Sequence, residues 1–408
     1  MYSLIEQINF AVWGVPLIAL LLGTGLYYTI KLRFIQFKLP KKIFYINNLK
    51  KTHAHRAKTV CMSLGASMGT GNIAGTASAL AIGGPGAILW MWVSAFLGMA
   101  LVYAENKLSE KYSNKNVKGT MAYLSLGIGS KIFALFFSFF CVLASLGMGG
   151  MTQVNTFSSN LYECIGPKRY ITGAIIFIII ISIIVGGAKR IGSTAQLIIP
   201  ISGVVYGSVC LAVIFLNIEH IPKIINEIIS QGVGFKQFTG GISGNAISIG
   251  IRRGLFSNEA GLGSSPLLHS SANTNESLAW WSMAEVMIDM LCCTLTGLTV
   301  LCGCDTYLIT DSLKLVLGET VNVFLTSING MFALCTVIGW YYCGETAFLY
   351  ISRGKARFLF CFIFAIISAS GAIFEKSTVW IVSDIFNGLM AFPNIIGLIL
   401  LNKEVTEE

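Results

Sequence analysis

The sequence predicts an all-α integral membrane protein of eleven transmembrane helices: one extra amino-terminal helix, then two halves of five in opposite orientation. Three observations predict it. Of 408 residues, 54% are hydrophobic and only 12% charged, with a mean hydropathy of +0.73, whereas a soluble domain carries about 25% charge. The apolar residues fall into eleven runs, each near the ~20 residues that a bilayer requires. The run at the head of each half is broken by glycines and polar residues at mid-membrane depth.

The first run, 9–31, is too long for a signal-peptide core and lacks a small-residue cleavage pattern, so it is expected to persist as a helix. With the basic segment that follows, it forms a leading region, 1–59. The first half, 60–217, holds runs 60–82, 86–106, 131–160, 170–187 and 194–217. The second, 242–401, holds 242–270, 279–302, 321–350, 356–374 and 378–401. An odd number of crossings per half forces the halves into opposite topology, the arrangement of inverted-repeat transporters.

The net charge of +9 reads as topology rather than nucleic-acid binding, because the basic residues gather in loops. Segment 31–58 holds nine Lys and Arg, 107–131 five, 189–190 two and 353–357 three, with Lys403 in the tail. The opposite loops hold six: Lys168, Arg169, Lys223, Lys236, Lys314 and Lys376. Positive residues stay inside, so the amino terminus is expected outside and the carboxyl terminus in the cytoplasm. Around Ile221–Ile229, Glu219, Lys223 and Glu227 recur at helical spacing and predict an amphipathic helix on the outer surface.

The first break is Gly69-Thr70-Gly71-Asn72-Ile73-Ala74-Gly75. Glycine inside a helix costs ~1 kcal/mol relative to alanine, and exposed backbone in lipid costs several. Gly65/Gly69 and Gly71/Gly75 have the spacing of close helix contacts, with Gly65 and Gly75 expected to face neighbouring helices. Packing alone has no need of Asn72, whose amide must find partners in hydrocarbon. An unwound Thr70–Asn72 offers carbonyls to a cation and N–H groups to a carboxylate. The second break, Gly254 to Pro266, contains Asn258, Glu259, Gly261 and Gly263, after Arg252 and Arg253. Glu259 is expected either to pair with one of those arginines or to touch substrate.

Gln153, after the run Gly147-Met148-Gly149-Gly150-Met151-Thr152, is suited to bond a small polar ligand or to tie helices together. Thr336 and Trp340 share a helix face at i and i+4: a hydroxyl for Na⁺, and a ring that limits substrate size. Glu345 and Asp289 are further intramembrane carboxylates. Glu105 and Asp384 are expected nearer the cytoplasmic side, in a gate or in structural pairs. The expected substrate contacts are therefore Thr70, Gly71, Asn72, Gln153, Trp340 and Gly261, and the expected ion contacts Gly69 and Thr336.

The eleven cysteines lie mostly in apolar runs without zinc spacing; Cys292-Cys293 and Cys302/Cys304 are the close pairs. His53, His55 and His220 fall in loops and His269 at a helix end, so no catalytic constellation is expected. A phosphate-binding loop is also missing. The reading therefore expects neither an enzyme, nor ATP coupling, nor a cofactor. The energy would come from an ion gradient.

These residues resemble the alanine/glycine:cation symporters, also called sodium:alanine symporters, over nearly the whole chain. Trp13-Gly14-Val15-Pro16, Leu21-Leu22-Gly23-Thr24-Gly25-Leu26-Tyr27 and Phe34-Ile35-Gln36-Phe37 are similar to that family's opening span. The first break followed by Gly83-Gly84-Pro85-Gly86-Ala87 and Trp90-Met91-Trp92 is similar to its signature. So are Arg253 to Gly261, Gly339-Trp340 with Gly344-Glu345, and Asp384 to Met390 with Pro393-Asn394. The resemblance implies a LeuT-type five-plus-five inverted repeat with one added helix. It implies Na⁺-coupled uptake of alanine or glycine across a prokaryotic plasma membrane, and it puts Asn72, Gln153, Thr336 and Trp340 at the substrate and ion site. The chain departs from the family's pattern in the short segments 38–60 and 107–124, in Val154-Asn155-Thr156-Phe157 after Gln153, and in Glu285, an unusual charge for its helix.

Two alternatives stand beside this reading. A transporter of the same fold could be driven by H⁺, with Glu259 or Asp289 carrying the proton. A channel would need a continuous polar stripe, and a sensor a soluble signalling domain; the seven residues after Leu401 are too few for one.

Overall fold

The computed structural model describes residues 2–48, 53–233, 245–270, 278–303 and 307–406. Lys50, Lys51, Lys236, Cys304 and positions 242–244 of the run 242–270 lie outside the described residues, and the side chains of His53 and His55 are likewise not described. Among the described residues there is no strand.

Helices α1 (Tyr2–Val12) and α2 (Val15–Lys31) form the first apolar stretch, jointed at Trp13–Gly14 where Pro16 starts the new helix. The helices α3 (Leu39–Asn48), α4 (His53–Ser67), α5 (Thr76–Gly83) and α6 (Gly86–Tyr112) follow. After them come α7 (Lys131–Ala144), α8 (Thr152–Ile165), α9 (Arg169–Ile184), α10 (Gly187–Leu216) and α11 (Ile221–Val233). The rest is α12 (Asn245–Asn258), α13 (Ser265–His269), α14 (Leu278–Gly303), α15 (Ile309–Leu317), α16 (Val321–Ile351), α17 (Arg357–Ser370) and α18 (Lys376–Leu400). Among the described residues, seven helical stretches are long and apolar enough to cross a membrane, and α9 and α17 are shorter apolar helices. The two glycine-broken runs each form a pair of shorter helices, α4 with α5 and α12 with α13, about an irregular turn.

Close packing follows the small residues. A Cβ on Gly339 of α16 would sit 2.8 Å from the Ala66 Cβ of α4, and one on Gly65 3.1 Å from the Cys335 Cβ. Gly98 of α6 faces Ala260 in the same way, and Gly250 of α12 faces Trp90. Such contacts let backbones approach where lipid supplies no hydrophobic drive. Gly75 behaves differently: nothing lies within 4 Å of its Cβ position, so it is not the packing face that its spacing suggested.

Two further segments differ from the sequence reading. Part of the loop 107–131 folds back into the protein, where a turn at Thr120–Ala122 and a π-helical Tyr123–Gly127 bury Thr120 through Leu124. The apolar run Met121-Ala122-Tyr123-Leu124 drives this, and Thr120 Oγ1 donates to the Gly263 carbonyl at 2.6 Å. The amphipathic helix exists as α11, with Ile224 and Ile228 buried and Lys223 3.9 Å from Glu227. Glu219, however, belongs to a separate 3₁₀ turn, Ile218–His220. α11 docks on the start of α6, where Trp90 Nε1 donates to the Gly232 carbonyl at 2.9 Å.

Candidate functional site

At the first break, the helical hydrogen-bond ladder ends with Met68 N to Leu64 O, and the Gly69 N–H turns to the Ser67 carbonyl at 2.8 Å. The chain then winds as a wider π-helical turn, Gly71–Gly75. Such turns interrupt helices frequently at functional sites. Gln153 of α8 holds the opening. Its Oε1 accepts from the Thr70 N–H at 3.1 Å and the Thr70 hydroxyl at 2.9 Å, while its Nε2 donates to Met148 O at 3.2 Å. Both ends of the amide are engaged, which is the tie between helices that its position allowed.

Thr336 of α16 lies beside the same turn, its Oγ1 donating to the Gly65 carbonyl at 2.9 Å. A Cβ on Gly69 would meet that oxygen at 2.7 Å and Gln153 Oε1 at 3.0 Å. Glycine is required there for the approach. Gly69, Thr70, Gln153 and Thr336 thus form one cluster of oxygens. Gly71 turns toward Phe256, whose ring stacks on Trp380 with centroids 5.8 Å apart.

The second break begins at Glu259, which has a positive φ of 54°, and continues through Gly261 and Gly263. Its carboxylate does not pair with either arginine. Oε2 accepts from Ser264 Oγ and Oε1 from Trp340 Nε1, both at 2.8 Å. The reversed backbone at 259 carries the side chain away from α12, so proximity in sequence to Arg252 and Arg253 misleads. Gly261 does not join the Thr70–Gln153–Thr336 cluster: its Cβ position faces Leu21, Leu101 and Ile395, and its carbonyl accepts from Asn394 Nδ2 at 2.9 Å.

Asp289 of α14 links the two breaks. Its Oδ1 accepts from Asn72 Nδ2 at 2.7 Å and its Oδ2 from Ser257 Oγ at 2.8 Å. Among the described residues, Asn72 Oδ1 is buried there without a hydrogen-bond partner, while the Thr76 hydroxyl lies against the Cys293 thiol and the Asn72 amide beside Cys292. A buried polar atom left unpaired costs about 1–3 kcal/mol, so oxygens of this kind suit a bound ligand.

Other carboxylates serve elsewhere. Asp384 and Glu105 lie at different levels of the protein, because Glu105 bonds Asn394, further along α18 than Asp384. Asp384, two turns into α18, sits beside the start of α2: Arg252 reaches it at 3.4 Å and Trp13 Nε1 donates to its carbonyl at 2.7 Å. Glu105, two turns from the end of α6, accepts from Asn394 Nδ2 at 2.6 Å close to the buried 120–124 segment. Glu345 is a structural partner of Tyr341 and Arg357, both at 2.6 Å.

The comparisons with known proteins bear on what this arrangement belongs to. The family model described as the sodium:alanine symporter family matches residues 1–408. The chain belongs to the sodium:alanine symporter family. It is similar to the sodium/alanine symporter AgcS of Methanococcus maripaludis, at 36% identity over 100% of this chain and 96% of that protein. The probable sodium/glutamine symporter GlnT of Bacillus subtilis is 34% identical over 99% of this chain and 90% of its own length. Among solved structures, that of MhsT in complex with L-phenylalanine superposes with a TM-score of 0.62 at 15% identity, covering 83% of this chain and 88% of that one. The fold is therefore that of the LeuT-type transporters. As a member of the sodium:alanine symporter family, the chain is a multi-pass membrane protein that carries out amino-acid:cation symport and is not an enzyme.

Sequence reasoning missed several partners within this symporter. Ser257 and Ser264 carry no signal of a role, and Asn394 enters only through the family motif, because a short polar residue in an apolar run looks like ordinary helix glue. The π-helical turn Ser145–Met151 was also missed. Its signal was Gly147, Gly149 and Gly150, which lie against Ser383, Trp340 and Ser368 on three different helices.

Proposed function

We propose that this protein is a Na⁺-coupled importer of a small neutral amino acid, alanine or glycine, working by alternating access. In this reading it crosses the membrane eleven times, with the amino terminus outside, the carboxyl terminus in the cytoplasm, and repeats 60–217 and 242–401 inverted about the membrane plane. Na⁺ is taken by the Gly69 carbonyl and the Thr336 hydroxyl. The amino acid lies along Thr70, Gly71 and Asn72, with Gln153 holding that backbone open and Trp340 setting the size limit.

One observation carries the reading: Asp289 joins Asn72 of the first break to Ser257 beside the second, leaving Asn72 Oδ1 buried and unpartnered between them. Paired helix breaks are where transporters of this kind bind substrate and ion. The relatives named for alanine and for glutamine frame the range of side chains to be tested.

The test is uptake of labelled alanine by purified protein in proteoliposomes, with and without an inward Na⁺ gradient, in competition with glycine, serine, glutamine and leucine. Na⁺-dependent uptake, competed by the small residues and abolished by Asn72→Ala, is the expected result. Uptake that ignores Na⁺ but follows a pH gradient would favour the proton-driven alternative; a relative named as a putative sodium/proton-dependent alanine carrier makes that arm worth running.

A further inference from the structure

His269, the last residue of α13, is buried in a polar cluster drawn from both halves of the chain. Its Nε2 lies 3.0 Å from Glu285 Oε1 on α14, and its Nδ1 3.0 Å from Asn106 Oδ1 on α6. Ser63 of α4 donates to Glu285 Oε2 at 2.7 Å. His269 is 2% exposed and Glu285 5%. None of these groups belongs to the substrate and ion cluster described above.

The protons in this cluster can be counted. Asn106 Nδ2 donates to the Val102 carbonyl at 2.8 Å and to Ser265 Oγ at 2.9 Å, which fixes the amide with its oxygen toward the histidine. That oxygen can only accept, and at 3.0 Å it lies nearer Nδ1 than the Ser265 hydroxyl does at 3.4 Å, so Nδ1 carries a hydrogen. Between Nε2 and Glu285 Oε1 a second hydrogen is required, on one atom or the other. A neutral imidazole beside an ionised carboxylate supplies one hydrogen, not two. The arrangement therefore holds one proton more than that state.

We propose that the His269–Glu285 pair is a proton-binding latch, and that its bound proton fastens α13 to α6, α14 and α4 in this conformation. Loss of the proton to water leaves two acceptors facing each other at 3.0 Å, either Nδ1 against Asn106 or Nε2 against Glu285. Both are buried, so the contact must open. Release of α13 frees the part of the second broken helix that follows Glu259. The latch is complete at low pH and is lost as pH rises. Its consequence for transport rests on the symporter reading above; the proton site itself does not.

Among the described residues, other titratable groups on the neighbouring elements engage partners of their own. On the neighbouring elements, Lys42 lies over the Trp280 ring, Lys107 pairs with Glu110, and Lys118 donates to the Ser270 carbonyl. Glu105 and Glu259 hold Asn394 and Trp340, Asp289 holds Asn72, and Tyr342 lies 3.5 Å from Ser270 Oγ. Cys61 of α4 is close enough to feel the Glu285 charge.

Hydrogen exchange across 263–270 in the purified full-length protein, between pH 6 and 9 and normalised to intrinsic rates, tests the proposal without any substrate. Wild-type protection is expected to fall roughly tenfold or more as pH rises, the effect of one lost buried hydrogen bond to a charged group. Glu285→Gln supplies an amide N–H to a bare Nε2, which completes the network with a neutral histidine; its protection should stay high and flat with pH. His269→Gln should also be flat. A wild type without pH dependence, or a Glu285→Gln variant that keeps it, overturns the latch. Failed alanine uptake with these exchange results intact would instead count against the symport reading alone.

Discussion

Trp340 donates its indole N–H to Glu259 across 2.8 Å, so the residue expected to limit substrate size also anchors the second helix break. The ring is fully buried, and Gly149 of the π-helical turn lies directly against its base. Its two roles can be separated. Trp340→Phe keeps most of the ring volume but removes the donor, leaving one Glu259 oxygen unpaired in a buried site. That should lower stability by about 1–3 kcal/mol while the preference for small amino acids persists. Trp340→Ala removes the wall as well and should let leucine compete for alanine uptake. Thermal unfolding together with the competition panel checks both; an unchanged substrate range in a folded Trp340→Ala protein places the size limit elsewhere.

Gly69 and Gly75 bracket the first break and should respond in opposite ways to alanine. A methyl on Gly69 would press on Thr336 Oγ1 at 2.7 Å and on Gln153 Oε1 at 3.0 Å, the oxygens around the proposed ion position. Gly75 has a helical φ of −66° and open space at its Cβ position. Gly69→Ala should therefore raise the Na⁺ concentration for half-maximal uptake by roughly tenfold or more, since overpacking of this kind costs about 1–3 kcal/mol. Gly75→Ala should be neutral or stabilising by about 0.4–1 kcal/mol through the unfolded chain. Na⁺ titration of uptake and of melting temperature distinguishes them, and equal effects at both positions would remove the special status of Gly69.

The two helix breaks were legible in the sequence because glycine and asparagine are costly inside an apolar run, and persist there where helices pack closely or the backbone opens. Gly69–Gly75 and Gly254–Gly263 declared themselves that way, and Thr336 and Trp340 did so by sharing a helix face. Their partners were not legible. Gln153 and Thr70 are 83 positions apart, and nothing in either segment names the other. The sequence leaves Glu259 between the nearby arginines and substrate, whereas a left-handed backbone at 259 turns it to Trp340 and Ser264. Nor does the sequence separate Asp384 from Glu105, because a lone carboxylate in an apolar helix carries no depth signal. Glu285 stood out as an unusual charge, but only the fold brings His269 to it. The segment 120–124 was hidden by its setting among basic loop residues, although its own composition is apolar.

The Asn72–Asp289 bond gives the sharpest test of whether the two breaks act as one site. Asn72→Asp would put a second carboxylate within hydrogen-bond distance of Asp289, where two charges about 4 Å apart repel by roughly 4 kcal/mol at an effective dielectric of 20. Uptake should be nearly lost, and should recover in part at low pH, where one of the two carboxylates is protonated. Asn72→Asp combined with Asp289→Asn restores an amide–carboxylate bond with the roles exchanged, and the new amide oxygen can still accept from Ser257. The double variant should therefore transport better than Asn72→Asp alone, with a coupling free energy of about 0.5–3 kcal/mol, as expected for residues in contact. A double variant no better than the single one would mean that Asp289 is needed as a carboxylate at its own position. In that case the proton-driven alternative, with Asp289 as carrier, becomes the reading to pursue.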